Sequence, residues 1–288
     1  MKILKSFFVS VLLCIFYLLS SVNLTSCTKT HTQYDTTFII KNDTTTIIKP
    51  DTIIVKDSIY DIADGLVAYY NFNGGNLNDS SGFGNNIIFN NATTAADRFG
   101  NADNAYSFNG TSDYMRVSNS QSLNPANSIT LMAIIKVNGF YTGACSGNQI
   151  FGKDISDGDP GDYIMRFSDF VTNSCSIAPN INQETFGGVY SSTVGVGALD
   201  TPFIKTGVWY NLTFTYNGIQ AKFYINGQLK KTWTALANFI PNTDDLFIGS
   251  TGNFSQFPYW FNGVIDEIRI YNRALPYGAV NELNQLKE

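Results

Sequence analysis

Short runs of alternating apolar and polar residues, separated by turn residues, fill the chain from Gly65 onward. The clearest run carries an apolar side chain at every second position: Ile129, Leu131, Ala133, Ile135 and Val137. Successive side chains of a strand point to opposite faces, so this pattern predicts a strand with one face in a hydrophobic core.

Two Asn-Gly pairs, Asn217-Gly218 and Asn226-Gly227, divide residues 209–233 into three strand-like runs. Asn-Gly suits a type I′ turn because both central residues of that turn need a positive φ. The pattern predicts a three-stranded antiparallel meander. Its expected core positions are Leu212, Phe214, Tyr216, Ala221, Phe223 and Ile225.

Residues 263–271 predict one more strand. Asp266 shares its parity with apolar residues, whereas Glu267 and Arg269 fall on the other parity, where we expect charged side chains to stay in water.

The segment 276–286 has helical spacing. Pro276 suits a first helical turn, and Val280, Leu283 and Leu286 recur at the spacing of one helix face. The predicted fold class is therefore all-β, with one short C-terminal helix.

The composition agrees with strands and argues against one class of partner. Phe (22), Tyr (16) and Gly (24) are abundant, and these residues favour strands or turns. The net charge is −5 and the pI is about 4.9, whereas a nucleic-acid surface needs clustered Lys and Arg. We expect no nucleic-acid partner.

The N-terminus has the pattern of a secretory signal. Lys2 and Lys5 precede an apolar run over 7–19, and Leu24-Thr-Ser-Cys27 resembles a bacterial lipobox. This predicts a signal peptide over 1–26, lipidation of Cys27, and an exported chain anchored to the bacterial outer membrane by lipid alone. The alternative, an uncleaved transmembrane helix, needs a longer apolar run of roughly 20 residues.

Residues 27–61 are expected to form an extended stalk. An Asp-Thr-rich unit repeats every eight residues, starting at Asp35, Asp43 and Asp51, and Pro50 disfavours a helix. The repeat is interpreted as a spacer or as an edge strand that needs a partner. Its Asp-Thr triplets also match O-glycosylation acceptors of some Gram-negative bacteria, although a Thr-rich repeat produces such triplets by chance.

Two cysteines remain after Cys14 and Cys27. Arms over 149–153 and 163–168 predict a hairpin whose open end brings Cys145 nearly opposite Cys175. An even pair of cysteines in an exported chain favours a disulfide.

Six segments in a fixed order resemble the bacterial laminin G-like, or concanavalin A-like lectin/glucanase, domains: 65–72, 77–85, 106–117, 209–214, 223–227 and 261–275. The resemblance implies that residues 62–288 form a jelly-roll sandwich of two antiparallel sheets. It also implies ligand sites on loops or on the concave sheet. The family includes lectins, adhesion modules and glycoside hydrolases, so the fold alone does not choose among them.

A catalytic constellation is not expected. The family's hydrolases use a Glu-x-Asp-x-x-Glu strand, and this spacing is absent from the sequence. Asp266 and Glu267 are adjacent, and strand alternation predicts that they point to opposite faces. The single histidine, His31, lies in the stalk, so nucleophile activation lacks a base in the domain.

The resemblance implies a structural Ca²⁺ with oxygen ligands from Asn71, Gly110 and Asp266, and with Asp79 as a neighbour. The alternative is that Asp266 only accepts backbone hydrogen bonds.

Aromatic side chains on loops are the candidate sugar-binding groups. They are Phe254, Phe257, Tyr259 and Trp260 before the last strand, together with Tyr141 and Tyr190. Core packing is the alternative for Trp260. We expect a non-catalytic module that binds carbohydrate or, as the alternative, a cell-envelope or surface protein.

Overall fold

A computed structural model describes residues 60–141, 143, 147–155, 161–167, 204–234 and 242–286. For residues 37–41, 44–48, 185–190 and 195–200 it describes the backbone. Cys27, Cys145 and Cys175 lie outside the described residues, so lipidation and the disulfide stay predictions. The chain divides into two compact units, Met1–Ile59 and Tyr60–Glu288.

In the first unit, two copies of the eight-residue repeat pair with each other. Strands β1 (Thr37–Lys41) and β2 (Thr44–Ile48) are antiparallel, with Thr37 opposite Ile48 and Lys41 opposite Thr44.

The second unit contains the remaining strands. They are β3 (Leu66–Tyr70), β4 (Ile87–Asn90), β5 (Thr93–Ala95), β6 (Ala105–Asn109), β7 (Met115–Val117), β8 (Ile129–Gly139), β9 (Asn148–Lys153), β10 (Tyr163–Phe167), β11 (Thr185–Tyr190), β12 (Gly195–Asp200), β13 (Trp209–Tyr216), β14 (Gln220–Ile225), β15 (Gln228–Thr234), β16 (Leu246–Ile248) and β17 (Asn262–Tyr271). Short 3₁₀ turns lie at Asn73–Gly75 and Gln121–Leu123, and helix α1 spans Tyr277–Leu283.

These strands form two antiparallel sheets. The order in one sheet is β12-β11-β10-β9-β16-β7-β4, and the order in the other is β15-β14-β13-β8-β17-β6-β5, with β3 also paired to β17. We call them the seven-stranded and the eight-stranded sheet. The architecture is a jelly-roll sandwich, as the resemblance implied, and its strands agree with the all-β class that the alternation predicted.

The hydrophobic core lies between the two sheets. All five alternating residues of β8, from Ile129 to Val137, belong to it. So do the six positions predicted for the meander: Leu212, Phe214, Tyr216, Ala221, Phe223 and Ile225. Parity along these strands was therefore sufficient to assign their buried face.

The two Asn-Gly pairs form different turns. Asn226 and Gly227 both have positive φ, 51° and 72°, which confirms the type I′ turn between β14 and β15. At the other pair only Gly218 has positive φ, so the type I′ prediction is wrong there. The connection is a three-residue loop, in which the Asn217 side chain accepts hydrogen bonds from the backbone N–H groups of Ile219 and Gln220.

The predicted hairpin is present, with Tyr163 of β10 opposite Lys153 of β9. A β-bulge between Met165 and Arg166 then shifts the register by one residue.

Helix α1 covers the outer face of the eight-stranded sheet. Its Ala279, Val280 and Leu283 pack with Tyr224 and Tyr271 in a second cluster, separate from the main core. Tyr60 and Ile62, at the start of this unit, pack against the same cluster.

This cover corrects one expectation. Glu267 and Arg269 were expected in water, but each is only 3% exposed. They lie on the outer face, as parity requires, and that face is buried in the folded domain.

Candidate functional site

The outer face of the seven-stranded sheet carries an open surface. In β7, Met115 and Val117 are in the core, whereas Arg116 between them is exposed. Phe247 of β16 and Phe89 of β4 both pair with Arg116 across the sheet. Paired residues share a face, so the two rings flank the Arg116 side chain on the outside of the sandwich.

A row of aromatic rings extends over this face. The Tyr114 ring centroid lies 4.6 Å from that of Phe89 and 4.7 Å from that of Phe254. Phe254 in turn stacks on Trp260 at 5.4 Å, with only 8° between the planes. We call Phe89, Tyr114, Phe254 and Trp260 the aromatic row.

The row is open to solvent, and it lies over a buried ring. Phe254 is 45% exposed and Phe89 is 39% exposed, while Tyr114 and Trp260 are half-buried. Phe247 is buried and lies 6.1 Å from Phe254, edge to face. Rings that meet in this way fix one another's positions, so the exposed ones are presented by a rigid support.

A closed loop places Phe254 at its tip. The buried hydroxyl groups of Ser250 and Thr251 donate hydrogen bonds to the carbonyl groups of Pro258 and Phe257, at 2.7 and 2.6 Å. Gly252 has a φ of +85°, and a Cβ there would lie 2.6 Å from the Phe247 ring. Glycine at this position therefore lets the loop lie directly against Phe247.

An open depression of about 720 Å³ adjoins the row. It is lined by Ile155, Gly252, Asn253, Phe254, Ser255 and Gln256. Amide and hydroxyl groups beside an exposed ring can hydrogen-bond the polar edge of a ligand while the ring contacts its apolar face.

Two cations of contrasting burial, Arg116 and Lys153, lie near this face. The Arg116 guanidinium is 3.4 Å from the Asp245 carboxylate, and both side chains are partly exposed. Lys153 is fully buried and donates hydrogen bonds to Asn119 and Asn124 at 2.8 and 2.7 Å. Burial lowers the pKa of Lys153 to about 8, against the attraction of Asp244, Asp162 and Asp245.

The structure brings together two of the six aromatic residues that the sequence singled out, Phe254 and Trp260. Tyr259 is 2% exposed and lies under the Arg166 guanidinium, 5.0 Å from its ring, and Phe257 contacts Tyr259. Tyr141 is half-buried, with its backbone N–H bonded to Asn148. For Tyr190 only the backbone of β11 is described.

Sequence reasoning missed four residues of this face: Phe89, Tyr114, Arg116 and Asp245. The parity of β7 contained a signal, because Tyr114 and Arg116 alternate with the apolar Met115 and Val117. Their neighbours come from β4, from β16 and from the 250–260 loop, which no local pattern connects.

The four residues proposed to bind Ca²⁺ do not share one set of contacts. Asp79 accepts hydrogen bonds from the backbone N–H groups of Tyr69, Ser81 and Asn85 and from the Ser81 hydroxyl. Asn71 bonds nearby, to Asn73 and Ser80.

The other two lie on and beside β17. Gly110 packs against Asn262, and Asp266 pairs with Arg98 at 2.8 Å. Within the described residues no group of three or more His, Cys, Asp or Glu side chains could hold a metal. The described contacts do not connect the four residues to one another, and the calcium site stays a prediction.

Asp266 also corrects the expectation about adjacent acids. A β-bulge at this residue breaks the alternation of β17, and Arg98 contacts both carboxylates, Asp266 at 2.8 Å and Glu267 at 3.5 Å. The two acids thus meet at one guanidinium group. Burial raises the pKa of Asp266, and Arg98 opposes this shift. Arg98 faces both carboxylates and Arg269 pairs with Glu267, so both buried negative charges are compensated by arginine side chains.

The two antiparallel sheets and the core between them define a concanavalin A-like jelly-roll sandwich. The family comparison agrees: residues 108–281 match the model of the concanavalin A-like lectin/glucanases superfamily, and the chain belongs to this family. No curated protein matches the chain.

Solved structures of the same fold include binding domains. Domain 4 of AbnA, a GH43 extracellular arabinanase from Geobacillus stearothermophilus, in complex with arabinotriose, is 23% identical, with a TM-score of 0.55; the match covers 76% of this chain and 98% of that domain. The binding domain of Paraclostridial Mosquitocidal Protein 1 is 15% identical, with a TM-score of 0.60 and coverage of 78% and 52%. The receptor binding domain of botulinum neurotoxin D is 15% identical, with a TM-score of 0.58 and coverage of 78% and 53%. The chain thus spans about half of each toxin structure, and at these identities the likeness shows the fold.

Among the helices of the described residues, none has the length and apolar character to span a bilayer.

Proposed function

We propose that this chain is a membrane-anchored, non-catalytic module that binds carbohydrate through the aromatic row. The single observation that carries the proposal is the exposed, preorganised set of rings with amide and hydroxyl groups beside it. Sugar rings have an apolar C–H face and a polar edge, which match this combination. The arabinotriose complex of the arabinanase domain supports the same class of ligand.

Affinity gel electrophoresis of the full chain tests this proposal, with Cys27→Ser to keep the protein free of lipid. The panel contains arabinan, xylan, mixed-linkage β-glucan and acidic polysaccharides. We expect retardation by at least one of these polysaccharides. In Phe254→Ala the apparent affinity should fall by about tenfold or more, because an aromatic residue at the centre of a binding site usually contributes a large part of the binding energy.

Phe99→Ala is the matched control, since Phe99 is 49% exposed and lies outside the row, close to Arg98. Retardation by no polysaccharide, or an equal loss in both variants, would contradict the proposal. Hydrolysis of any member of the panel would contradict its non-catalytic part.

The anchor is tested separately. Palmitate labelling of the wild-type chain in a bacterial host should disappear in Cys27→Ser, and equal labelling would reject lipidation. Repeating the electrophoresis with a chelator tests whether Ca²⁺ contributes, and a free-thiol assay of the unfolded protein tests the Cys145–Cys175 bond.

A protein ligand is the second candidate function. Ile88, next to Phe89, is 54% exposed and enlarges the apolar surface, and larger exposed apolar patches are typical of protein-binding sites. The fold is shared with receptor-binding domains of toxins. Recovery of one envelope protein by the wild-type chain, lost in Ile88→Ser and in Phe254→Ala, would favour this function if no glycan binds.

A further inference from the structure

Arg116 lies at the centre of the open face. It is paired across the sheet with Phe89 on one side and Phe247 on the other. Its side chain is 44% exposed. A guanidinium group between two rings can donate several hydrogen bonds in one plane to a ligand that lies on those rings.

Asp245 supplies the acceptor beside this donor. One carboxylate oxygen faces Arg116 at 3.4 Å, and the other accepts the backbone N–H of Asn119 at 2.9 Å. Asp245 is thereby fixed in place. The ion pair itself is long and partly exposed, so it contributes little to folding and leaves both groups free to bond a ligand.

The charged groups around Arg116 and Asp245 favour an uncharged ligand over a polyanion. The charges of Arg116 and Asp245 cancel, and a second carboxylate, Asp244, lies next to them and accepts the N–H of Ile155 at 3.4 Å. Lys153, whose ammonium group is attracted by Asp244 and Asp245, is buried and bonded to Asn119 and Asn124. The depression contributes amide and hydroxyl groups. A polyanion would meet two carboxylates here, and the exposed cation Arg116 is already paired with Asp245.

We propose that the open face binds an uncharged polysaccharide, and that hydrogen bonds from Arg116 and to Asp245 determine which sugar it recognises. This inference rests on the proposed function. The sugar ring stacks on the aromatic row, Arg116 donates to one hydroxyl, and Asp245 accepts from the neighbouring hydroxyl. Vicinal hydroxyl groups are the chemistry that a fixed donor and acceptor side by side recognise.

The experiment measures retardation of the full Cys27→Ser chain in gels that contain arabinan or mixed-linkage β-glucan, which are uncharged, and polygalacturonate or alginate, which are acidic. Each gel is run at about 0.05 M and about 0.5 M NaCl, because only a charged ligand gives a strong dependence on salt. The variants are Arg116→Gln and Asp245→Asn. Asp64→Asn is the matched control, since Asp64 forms an exposed ion pair with Arg273 away from the row.

We expect retardation by an uncharged polysaccharide that changes less than twofold with salt, and a loss of about tenfold in Arg116→Gln and in Asp245→Asn, as for hydrogen bonds to charged groups. Asp64→Asn should bind as the wild type does. Retardation only by acidic polysaccharides, or wild-type binding by Arg116→Gln and Asp245→Asn, would overturn this inference and leave the proposed function standing. Retardation by neither class would reject the proposed function itself.

Discussion

In the part of the chain that the structure describes, both outer faces of the sandwich are rich in aromatic side chains, but only one of them is covered. On the eight-stranded sheet, helix α1 and Tyr60 cover Tyr224 and Tyr271, which are 1% and 0% exposed. On the seven-stranded sheet, Phe89 and Phe254 remain 39% and 45% exposed. The C-terminal helix thus buries one aromatic face, while the rings of the other face stay exposed, which is why we propose that this second face binds the ligand.

The ion pairs of the two faces differ in the same way. Asp266 and Glu267 are buried, whereas the Arg98 side chain, which contacts both of them, is 14% exposed and its guanidinium lies 3.5 Å from the Leu286 carbonyl near the end of the chain. Arg116 and Asp245 remain in contact with water. A buried pair cannot lose one partner without a large cost, whereas an exposed pair can exchange its partner for a ligand.

The largest expected effect separates these ion pairs. Arg98→Met leaves two buried carboxylates without their shared cation, and we expect it to lower the free energy of unfolding by about 3–5 kcal/mol. Arg116→Met, on the open face, should cost less than about 1 kcal/mol. Urea unfolding followed by tryptophan fluorescence measures both. Equal losses would show that the two pairs do not differ as the burial indicates.

The covered face gives the next effect. Leu283→Ala removes a side chain that is 2% exposed between α1 and the sheet, and we expect a loss of about 2–4 kcal/mol. Tyr277→Ala, on the same helix but 52% exposed, is the control and should change stability little. Glycan binding by folded Leu283→Ala should equal that of the wild type, because the row lies on the other sheet. A selective loss of binding would contradict the separation of the faces.

A smaller effect depends on pH. The pKa of Lys153 falls from 10.5 to about 8 on folding, so between these values the unfolded chain holds a proton that the folded chain has released. Stability should therefore rise as the pH increases through this window, by about 1–3 kcal/mol in total. Urea midpoints between about pH 7.5 and 9.5 avoid the tyrosines. Lys153→Met should lack the rise, and a rise of the same size in this variant would assign it to another group.

The smallest expected effect on stability is at the row. Phe254→Ala should change the free energy of unfolding by about 0.5 kcal/mol, because the side chain is 45% exposed. The main effect of Phe254→Ala should be on the affinity for the polysaccharide. A loss of more than about 2 kcal/mol would show that the ring serves mainly to hold the 250–260 loop, and would weaken the case for a ligand.

Local patterns predicted much of the fold and little of the site. Asn226-Gly227 formed its predicted turn and Val280 and Leu283 formed the buried helix face, because backbone conformation and helical spacing are properties of neighbouring residues. Asn217-Gly218 did not form the predicted type I′ turn. Its loop has three residues instead of two, and the Asn217 side chain accepts hydrogen bonds from the backbone N–H groups of Ile219 and Gln220.

The bulge at Asp266 is a second limit of alternation. Parity placed Asp266 and Glu267 on opposite faces, but one extra residue in β17 lets both meet Arg98. A bulge depends on tertiary contacts as well as on local sequence. Arg98, the residue that pairs with Asp266, is 168 positions away from it along the chain.

The sequence by itself determined the sandwich, because a strand's alternation of apolar and polar side chains is a local, two-residue period that fixes which residues enter the core. Tertiary structure alone decided which outer face is open. Coverage by α1 and the assembly of Phe89, Tyr114, Phe254 and Trp260 depend on contacts between segments that are remote along the chain, and no short-range pattern encodes such contacts.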